Sequence, residues 1–306
     1  MSKTILLTGG TGLIGKPLSR FLLQQGHRLH HLSRNPEPHG NPRIKVFKWD
    51  VYNKQIDETC IDGVDIIIHL AGEGIAEKRW TANRKKKIIE SRTESIRLIY
   101  NLLKQKQNHQ VKTVISASAI GFYGDRDDEL LNEDSSAGND FLAHSCIDWE
   151  NAVDEGSDLG LRIVKFRTGV VLAAEGGALP EMDKPVKAGF GAGLGDGKQW
   201  VSWIHHSDAL RLYGFAVENE NLEGVYNMVA PNPVTNNHLM LSIASALNKK
   251  IRIPNVPAFA LKLLMGEMSV IVLGSAKVSS KKIESAGFQF NFNTVEAALK
   301  DIYSEE

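Results

Sequence analysis

The chain has 306 residues, with 36 Lys plus Arg against 36 Asp plus Glu, and 42% of its residues are hydrophobic against 24% charged. This balance describes a globular chain with a sizeable core and excludes disordered and polybasic nucleic-acid-binding classes. Two cysteines, Cys60 and Cys146, exclude a disulfide framework and point to a reducing compartment. The first residues run into strand-like sequence with no signal-peptide pattern, and no apolar run approaches the ~20 residues of a membrane span, so a cytoplasmic protein without a membrane partner is expected.

Taken in order, the apolar spacing predicts a strand over Thr4–Leu7, a glycine-rich turn, and a helix bearing Leu18, Phe21, Leu22 and Leu23. Strands follow at His27–Leu32 and Ile44–Phe47. The run Val64–Leu70 is unbroken and β-branched, as a strand covered on both faces requires. A long helix over Asn83–Gln105, a strand at Thr113–Ser116, a helix near Phe141–Glu155 and a strand at Leu161–Phe166 continue the alternation. Such an order predicts an α/β, Rossmann-type, doubly wound parallel sheet. After Thr168 the regularity weakens. Glycines recur at 189, 191, 193, 195 and 197, and an aromatic strand and a helix share Trp200–Glu218. From about Ile251, with Pro254 and Pro257, a smaller C-terminal substrate-side subdomain is expected, dividing the chain into 1–248 and 249–306.

The turn Thr8–Gly15 reads TGGTGLIG. Gly9 permits the tight turn after the strand, Gly12 lets the backbone approach a pyrophosphate, and Gly15 lets the helix pack on the sheet. With Thr11, Leu13 and Ile14 it offers helix N-terminal amides to an anion, which points to a dinucleotide. An NAD site places a carboxylate at the end of the second strand, whereas this chain has Leu32-Ser33-Arg34. A guanidinium and a hydroxyl suit a 2′-phosphate, so NADP (NADPH) is expected, with Arg34 as a solvated loop charge the alternative. Asp50 either accepts from the adenine amino group or serves as a turn carboxylate.

These stretches resemble the extended short-chain dehydrogenase/reductase superfamily, which includes sugar-nucleotide epimerases. His69-Leu70-Ala71-Gly72 is similar to its fourth-strand motif, Ser116-Ala117-Ser118 with Tyr123-Gly124 to its fifth-strand serine motif, and Gly195-Asp196-Gly197…Trp203-Ile204-His205…Asp208 to its substrate-side motif. With Ala71–Ile75, Ser91-Arg92, Arg167–Leu172 and Gly177–Leu179, the chain resembles an atypical, NADP-linked "epimerase family" subgroup that carries a small C-terminal domain of unknown function. The resemblance implies that Leu70, Ala71 and Gly72 lie on the adenosine side and that Ser116, Ala117, Ser118, Val170 and Val171 flank the nicotinamide. The superfamily's Tyr/Lys pair is expected in the helix before Glu150, but counting back from that residue gives Cys146 and Leu142, neither of which supplies the proton or the fixed charge. Ser118 and Tyr123 are then the candidate catalytic groups, with Cys146 and His144 as lesser ones.

Where nucleotide-sugar members carry an arginine for the diphosphate, Val201 stands. Trp200 and Trp203 beside it suit plain core packing first, with an apolar or aromatic small-molecule substrate as the alternative. Asp208 reads as the cap of a helix over Ala209–Glu218, and the alternating glycines as a mobile pocket loop. The basic run Arg84–Lys87 reads as a solvated face, although Lys87 and Arg92 could reach the dinucleotide or an acidic ligand. No spacing resembles a metal site, a GxSxG elbow or a Walker loop. The expectation is an NADP(H)-linked oxidoreductase or epimerase-like enzyme, monomeric or homodimeric, with a non-catalytic NADP-binding sensor or scaffold as the rival. Thermal stabilisation should favour NADPH over NADH, and Arg34→Asp should reverse the preference by about tenfold or more; an unchanged ratio removes Arg34 from the cofactor site.

Overall fold

Ile5, Leu6 and Leu7 in β1 (Thr4–Thr8) are wholly buried on both faces, the mark of a strand held between two helical layers. The computed structural model describes residues 2–106 and 108–304. After β1 come α1 (Gly15–Gln24), β2 (Arg28–Ser33), β3 (Ile44–Asp50), β4 (Gln55–Ile56), β5 (Ile66–His69), α2 (Ala82–Gln105), β6 (Thr113–Ala119) and α3 (Phe141–Asp154). Next are β7 (Arg162–Thr168), α4 (Ala178–Lys187), α5 (His206–Glu218), β8 (Gly224–Met228) and α6 (Asn236–Ala246). The chain ends with α7 (Ala258–Met265), α8 (Val270–Leu273), α9 (Lys281–Ser285) and α10 (Val295–Ser304).

Among the described residues these strands form one eight-stranded sheet, ordered β4-β3-β2-β1-β5-β6-β7-β8 and parallel except at β3–β4. This is the expected doubly wound Rossmann-type sheet, and the direction of winding reverses between β1 and β5. Ligands of such sheets bind where the strands' carboxyl ends part at that reversal. On one face Leu18 and Leu22 of α1 and Leu212, Tyr213 and Ala216 of α5 cover Ile5, Leu7, Ile66 and Ile68. On the other, Ile96, Ile99 and Leu103 of α2 and Trp149 and Val153 of α3 cover Leu6, Ile67 and Val114. Thr81 and Asp140 cap α2 and α3 by accepting from the amides of Arg84 and Ala143.

The structure corrects four sequence expectations. The aromatic strand is two short pieces, with Trp200–Val201 pairing antiparallel to Val234–Thr235 and Trp203–His205 parallel to Val170–Leu172. Trp203 is fully buried and its indole donates to the Asn232 carbonyl, so it is core and not a ligand wall. The glycine row is pinned: Leu194 N donates to Asn236 Oδ1 and Val256 N to the Gly193 carbonyl. A Cβ on Gly197 would meet the Asn237 side chain at 2.0 Å, so crowding selects glycine there. In the basic run, Arg84 is buried against Glu73, while Lys86 and Lys87 stay exposed.

Asp208 is the fourth correction. Helix α5 begins two residues before it, and the His205 imidazole accepts from Ser207 N. The Asp208 carboxylate is buried, pairs with Arg211 at 2.6 Å, and accepts from Asn291 N and Phe292 N, both at 3.0 Å. It therefore clamps the C-terminal segment onto the sheet body. That segment completes shared cores: Ile283 and Phe288 join the α1/α5 face, and Val295, Ala298, Leu299 and Ile302 pack with Trp203 and α6. Removing this buried acceptor strands two amides and unpairs a half-buried guanidinium, so Asp208→Ala should cost about 2–4 kcal/mol in urea unfolding. A loss below ~1 kcal/mol would refute the clamp.

Candidate cofactor cleft and active site

The cleft is built by a hydroxyl. Thr8, wholly buried at the end of β1, accepts from the amides of both Leu70 and Ala71 at 3.0 Å, which clips the ends of β1 and β5 together. Gly9 follows in the left-handed region (φ +69°), and a Cβ there would lie 3.0 Å from the Leu70 carbonyl. A Cβ on Gly15 would lie 2.1 Å from the Gly9 carbonyl oxygen, so α1 enters against bare backbone. Thr11, Gly12 and Leu13 between them are exposed, and neither a side-chain cap nor an acidic residue occupies the first turn of α1. Backbone amides and the positive end of α1 therefore face the crevice unopposed, a cradle that fits a dinucleotide's pyrophosphate. Ile14 is half-buried on the sheet side, and Leu13 reaches Gly177, where a Cβ would lie 2.8 Å from its Cδ2 at the start of α4.

At the adenosine end, Ser33 Oγ donates to the Asn35 carbonyl and Arg34 projects into solvent. The Asp50 carboxylate serves as a turn group, accepting from Tyr52 N, Asn53 N and the Asn53 amide. Tyr52 donates to Glu73 at 2.8 Å, and Glu73 pairs with Arg84, which also donates to the Gly74 carbonyl. Burial and the Glu73 carboxylate push the Tyr52 phenol up to about 12, so it stays protonated. Lys87 is exposed and acts electrostatically on Glu73. A ≈480 Å³ surface cavity between Pro36–His39 and Ile44–Phe47 adjoins this end, whereas a ≈530 Å³ cavity by Gly63 and His109 lies at the opposite, amino ends of the strands.

On the β6 side, His69 is buried and held neutral, its pKa brought down to about 3 by burial and then by Arg92. Its Nε2 meets Ser95 Oγ at 2.7 Å and its Nδ1 meets Ser116 Oγ at 3.2 Å. Ser95 itself donates to the Arg92 carbonyl and Ser116 to the Ala117 carbonyl. Ser116 is thus occupied within the core, with Ala117 half-buried beside it, and Val170 and Val171 half-buried on the neighbouring short strand.

Ser118 and Tyr123 belong to one buried polar network. Ser118 donates to Glu150 at 2.7 Å, and Arg167 grips the same carboxylate through Nε at 2.8 Å and a terminal nitrogen at 2.9 Å. Arg167 also donates to the Tyr123 oxygen, while Tyr123 donates to Asn227 at 2.6 Å. The guanidinium stacks over Phe122 at 3.3 Å. Tyr123 is wholly buried, with its phenol pKa raised by that burial, which corrects its reading as a proton donor: the hydroxyl faces the core network. Sequence reasoning missed Arg167 and used Glu150 only as a counting mark. The available signal was an arginine directly after an apolar strand and a glutamate on the preceding helix.

Leu142 and Cys146, which the count back from Glu150 sets where the Tyr and Lys were expected, lie one turn apart on α3 beside Gly121. Burial pushes the Cys146 thiol up to about 12, so it is a small apolar group at neutral pH. His144 is exposed on the outer face of α3. Phe141 and Leu142 join an apolar cluster of Trp80, Ile88, Met265, Met268 and Val270, to which the C-terminal segment contributes the last three. Beside it Arg92 donates to the carbonyls of Ile88 and Glu73 and lies over the Trp149 ring. Its guanidinium is 3.0 Å from where a Gly72 Cβ would stand, and burial lowers its pKa. No cluster of His, Cys, Asp or Glu fit for a metal occurs among the described residues.

The profile described as the NAD dependent epimerase/dehydratase family matches residues 5–228, the stretch that holds the glycine cradle and the β5–β6 ends. The chain belongs to that family. A second profile, described as a domain of unknown function, matches residues 256–302. Among curated relatives of this epimerase family, the chain is 36% identical to the epimerase family protein YfhF of Bacillus subtilis, with 98% of each chain covered. The human epimerase family protein SDR39U1 (isoform 2), solved with NADPH, superposes with a TM-score of 0.86 at 28% identity, covering 99% of this chain and 100% of that one. A nucleoside-diphosphate sugar epimerase from Corynebacterium glutamicum gives a TM-score of 0.80 at 32% identity, covering all of this chain but 59% of that one.

Arg167→Met would leave Glu150 charged and alone in the core, so urea unfolding should register a loss of about 3–5 kcal/mol. Adding Glu150→Leu should recover much of it. A double variant no better than the single one would contradict the pairing.

Proposed function

We propose that the protein binds NADP(H) in the β1–β5 crevice and acts as an oxidoreductase or epimerase-like enzyme on a small apolar or aromatic substrate. The observation that carries this reading is the cradle itself: Gly9 and Gly15 where a side chain would strike backbone, and an uncapped α1 amino end between them. The human relative, solved with NADPH, supports the choice of cofactor. In this reading Gly9, Thr11, Gly12, Leu13, Ile14 and Gly15 hold the pyrophosphate, Ser33 and Arg34 take the 2′-phosphate, and Leu70–Gly72 floor the adenosine side with Asp50 at its rim. Lys87 and Arg92 then supply positive charge near the Glu73 loop, and Ser116, Ala117, Val170 and Val171 flank the nicotinamide. Two buried free thiols suit a reducing, cytoplasmic setting.

When bound, the nicotinamide would accept or return a hydride. The chain's own part is to move the accompanying proton, and Leu142 and Cys146 supply neither a phenol nor an ammonium from α3. Ser118 is the remaining hydroxyl at the end of β6. It already donates to Glu150, so a substrate hydroxyl giving its proton to Ser118 Oγ would send the serine proton on to the carboxylate. Arg167 would then balance the changing charge. Arg92 would supply a fixed positive charge from α2 where α3 has none. Val201 in place of a diphosphate-binding arginine, and the apolar cluster over Leu142, favour a substrate without a nucleotide diphosphate.

A second reading, an NADP-binding protein without turnover, is favoured by the burial of Ser118 and Tyr123 in one saturated network. Calorimetry with NADPH and NADH tests the shared premise, and loss of NADPH absorbance over a carbonyl panel, with Ser118→Ala as control, separates the two readings. Gly12→Val gives the sharpest check on the cradle. A Cβ at Gly12 meets only the Gly9 carbonyl at 3.3 Å, so the fold should persist, yet NADPH affinity should fall about 100-fold, or ~2.7 kcal/mol. Undiminished binding would place the cofactor elsewhere.

A further inference from the structure

We propose that α7 is a docking surface for an anionic lipid bilayer. The helix reads AFALKLLM, and Leu261 is its one buried residue. Phe259, Leu263 and Leu264 are 74%, 80% and 76% exposed, the three highest values among the exposed large apolar side chains. At about 100° per residue, Lys262, Phe259 and Leu263 share the arc opposite Leu261, and Leu264 extends it round the side of the helix. Single exposed leucines are ordinary, whereas three large apolar groups on one short helix form a patch.

Charge identifies the occupant. Lys249, Lys250, Arg252 and Lys262 are all exposed, and no Asp or Glu occurs from Lys249 to Met265, in a chain whose formal charge is zero. The next acid, Glu267, is bound to Lys85 at 2.5 Å. The segment is held in place: Val256 N donates to the Gly193 carbonyl, and the Val256 carbonyl accepts from Gly195 N just before the helix. A rigid helix with projecting Phe and Leu side chains and a cationic approach matches a headgroup–acyl boundary bearing negative charge. A second copy of the chain suits it less, because a two-fold contact sets α7 against α7 and brings both sets of cations together. No described helix is long and apolar enough to cross a membrane, so the contact is peripheral. The expectation of no membrane partner rested on the lack of a span and on a formal charge of zero; surface docking needs no span, and here the positive charge is local to one segment.

The test is co-sedimentation of the full chain with vesicles of phosphatidylcholine alone or with about 30% phosphatidylglycerol, at low and high salt. The expected result is binding roughly tenfold stronger to the phosphatidylglycerol vesicles and weakened by salt. Phe259→Ser with Leu263→Ser and Leu264→Ser removes no buried side chain and should reduce binding about tenfold without changing the melting temperature. Lys249→Gln with Lys250→Gln and Arg252→Gln should abolish the preference for anionic vesicles. Absence of vesicle binding, or binding indifferent to both variants, overturns the proposal. So does a wild-type dimer that the triple serine variant dissociates while vesicles capture nothing, since that assigns the patch to self-association. NADPH binding is not part of the readout, so this result stands apart from the cofactor reading.

Discussion

The two amide hydrogen bonds to Thr8 Oγ1 set the geometry from which the rest of the cleft follows. They fix the spacing between the strand that enters the glycine turn and the strand that leaves toward Gly72. Given that spacing, Gly9 has no room for a side chain and α1 must start against bare carbonyls. The same closeness leaves α1's amino end facing open space. A buried hydroxyl with two donors aimed at it has both acceptor positions filled, so the clip needs no charge.

Away from the clip, the interior depends on one ion pair. Glu150 and Arg167 are nearly inaccessible, and burying them is tolerable only because the pairing is bidentate and Ser118 and Tyr123 satisfy further positions. The network ties α3 to β6, β7 and β8, since Asn227 on β8 receives the Tyr123 hydroxyl and Glu133 accepts from its amide. Ser118 thereby carries a structural duty beside the chemical one proposed for it. Its oxygen belongs to the network, yet it sits where the sheet opens toward the crevice.

Much of this was legible from residue order. The switch of apolar period from two to between three and four marked the strands and helices of the first 168 residues, and TGGTGLIG named its own position at a strand-to-helix turn. Strand ends drifted by one to three residues because the sheet's hydrogen bonds, and not hydropathy, end a strand: Asp50, Ala119 and Thr168 all lie past the apolar runs. The Trp200–Val217 region misled because its apolar residues serve two separate ladders, and only pairing reveals the break at Ser202. Asp208 misled for a different reason. A carboxylate near a helix start reads as a cap, while its partners at Asn291 and Phe292 lie more than eighty residues away and leave no local trace. Tyr123 likewise carried the right chemistry, and only burial and the Arg167 contact revealed where its hydroxyl points.

The clamp at Asp208 has a bearing on synthesis. Ile283, Phe288 and the apolar side of α10 fill gaps in cores whose other walls are made by the first helix, the fifth and Trp203. During synthesis those apolar walls therefore stay exposed until this segment docks, however early the central sheet assembles. Closure of the hydrophobic surface is set by that docking and not by the sheet alone.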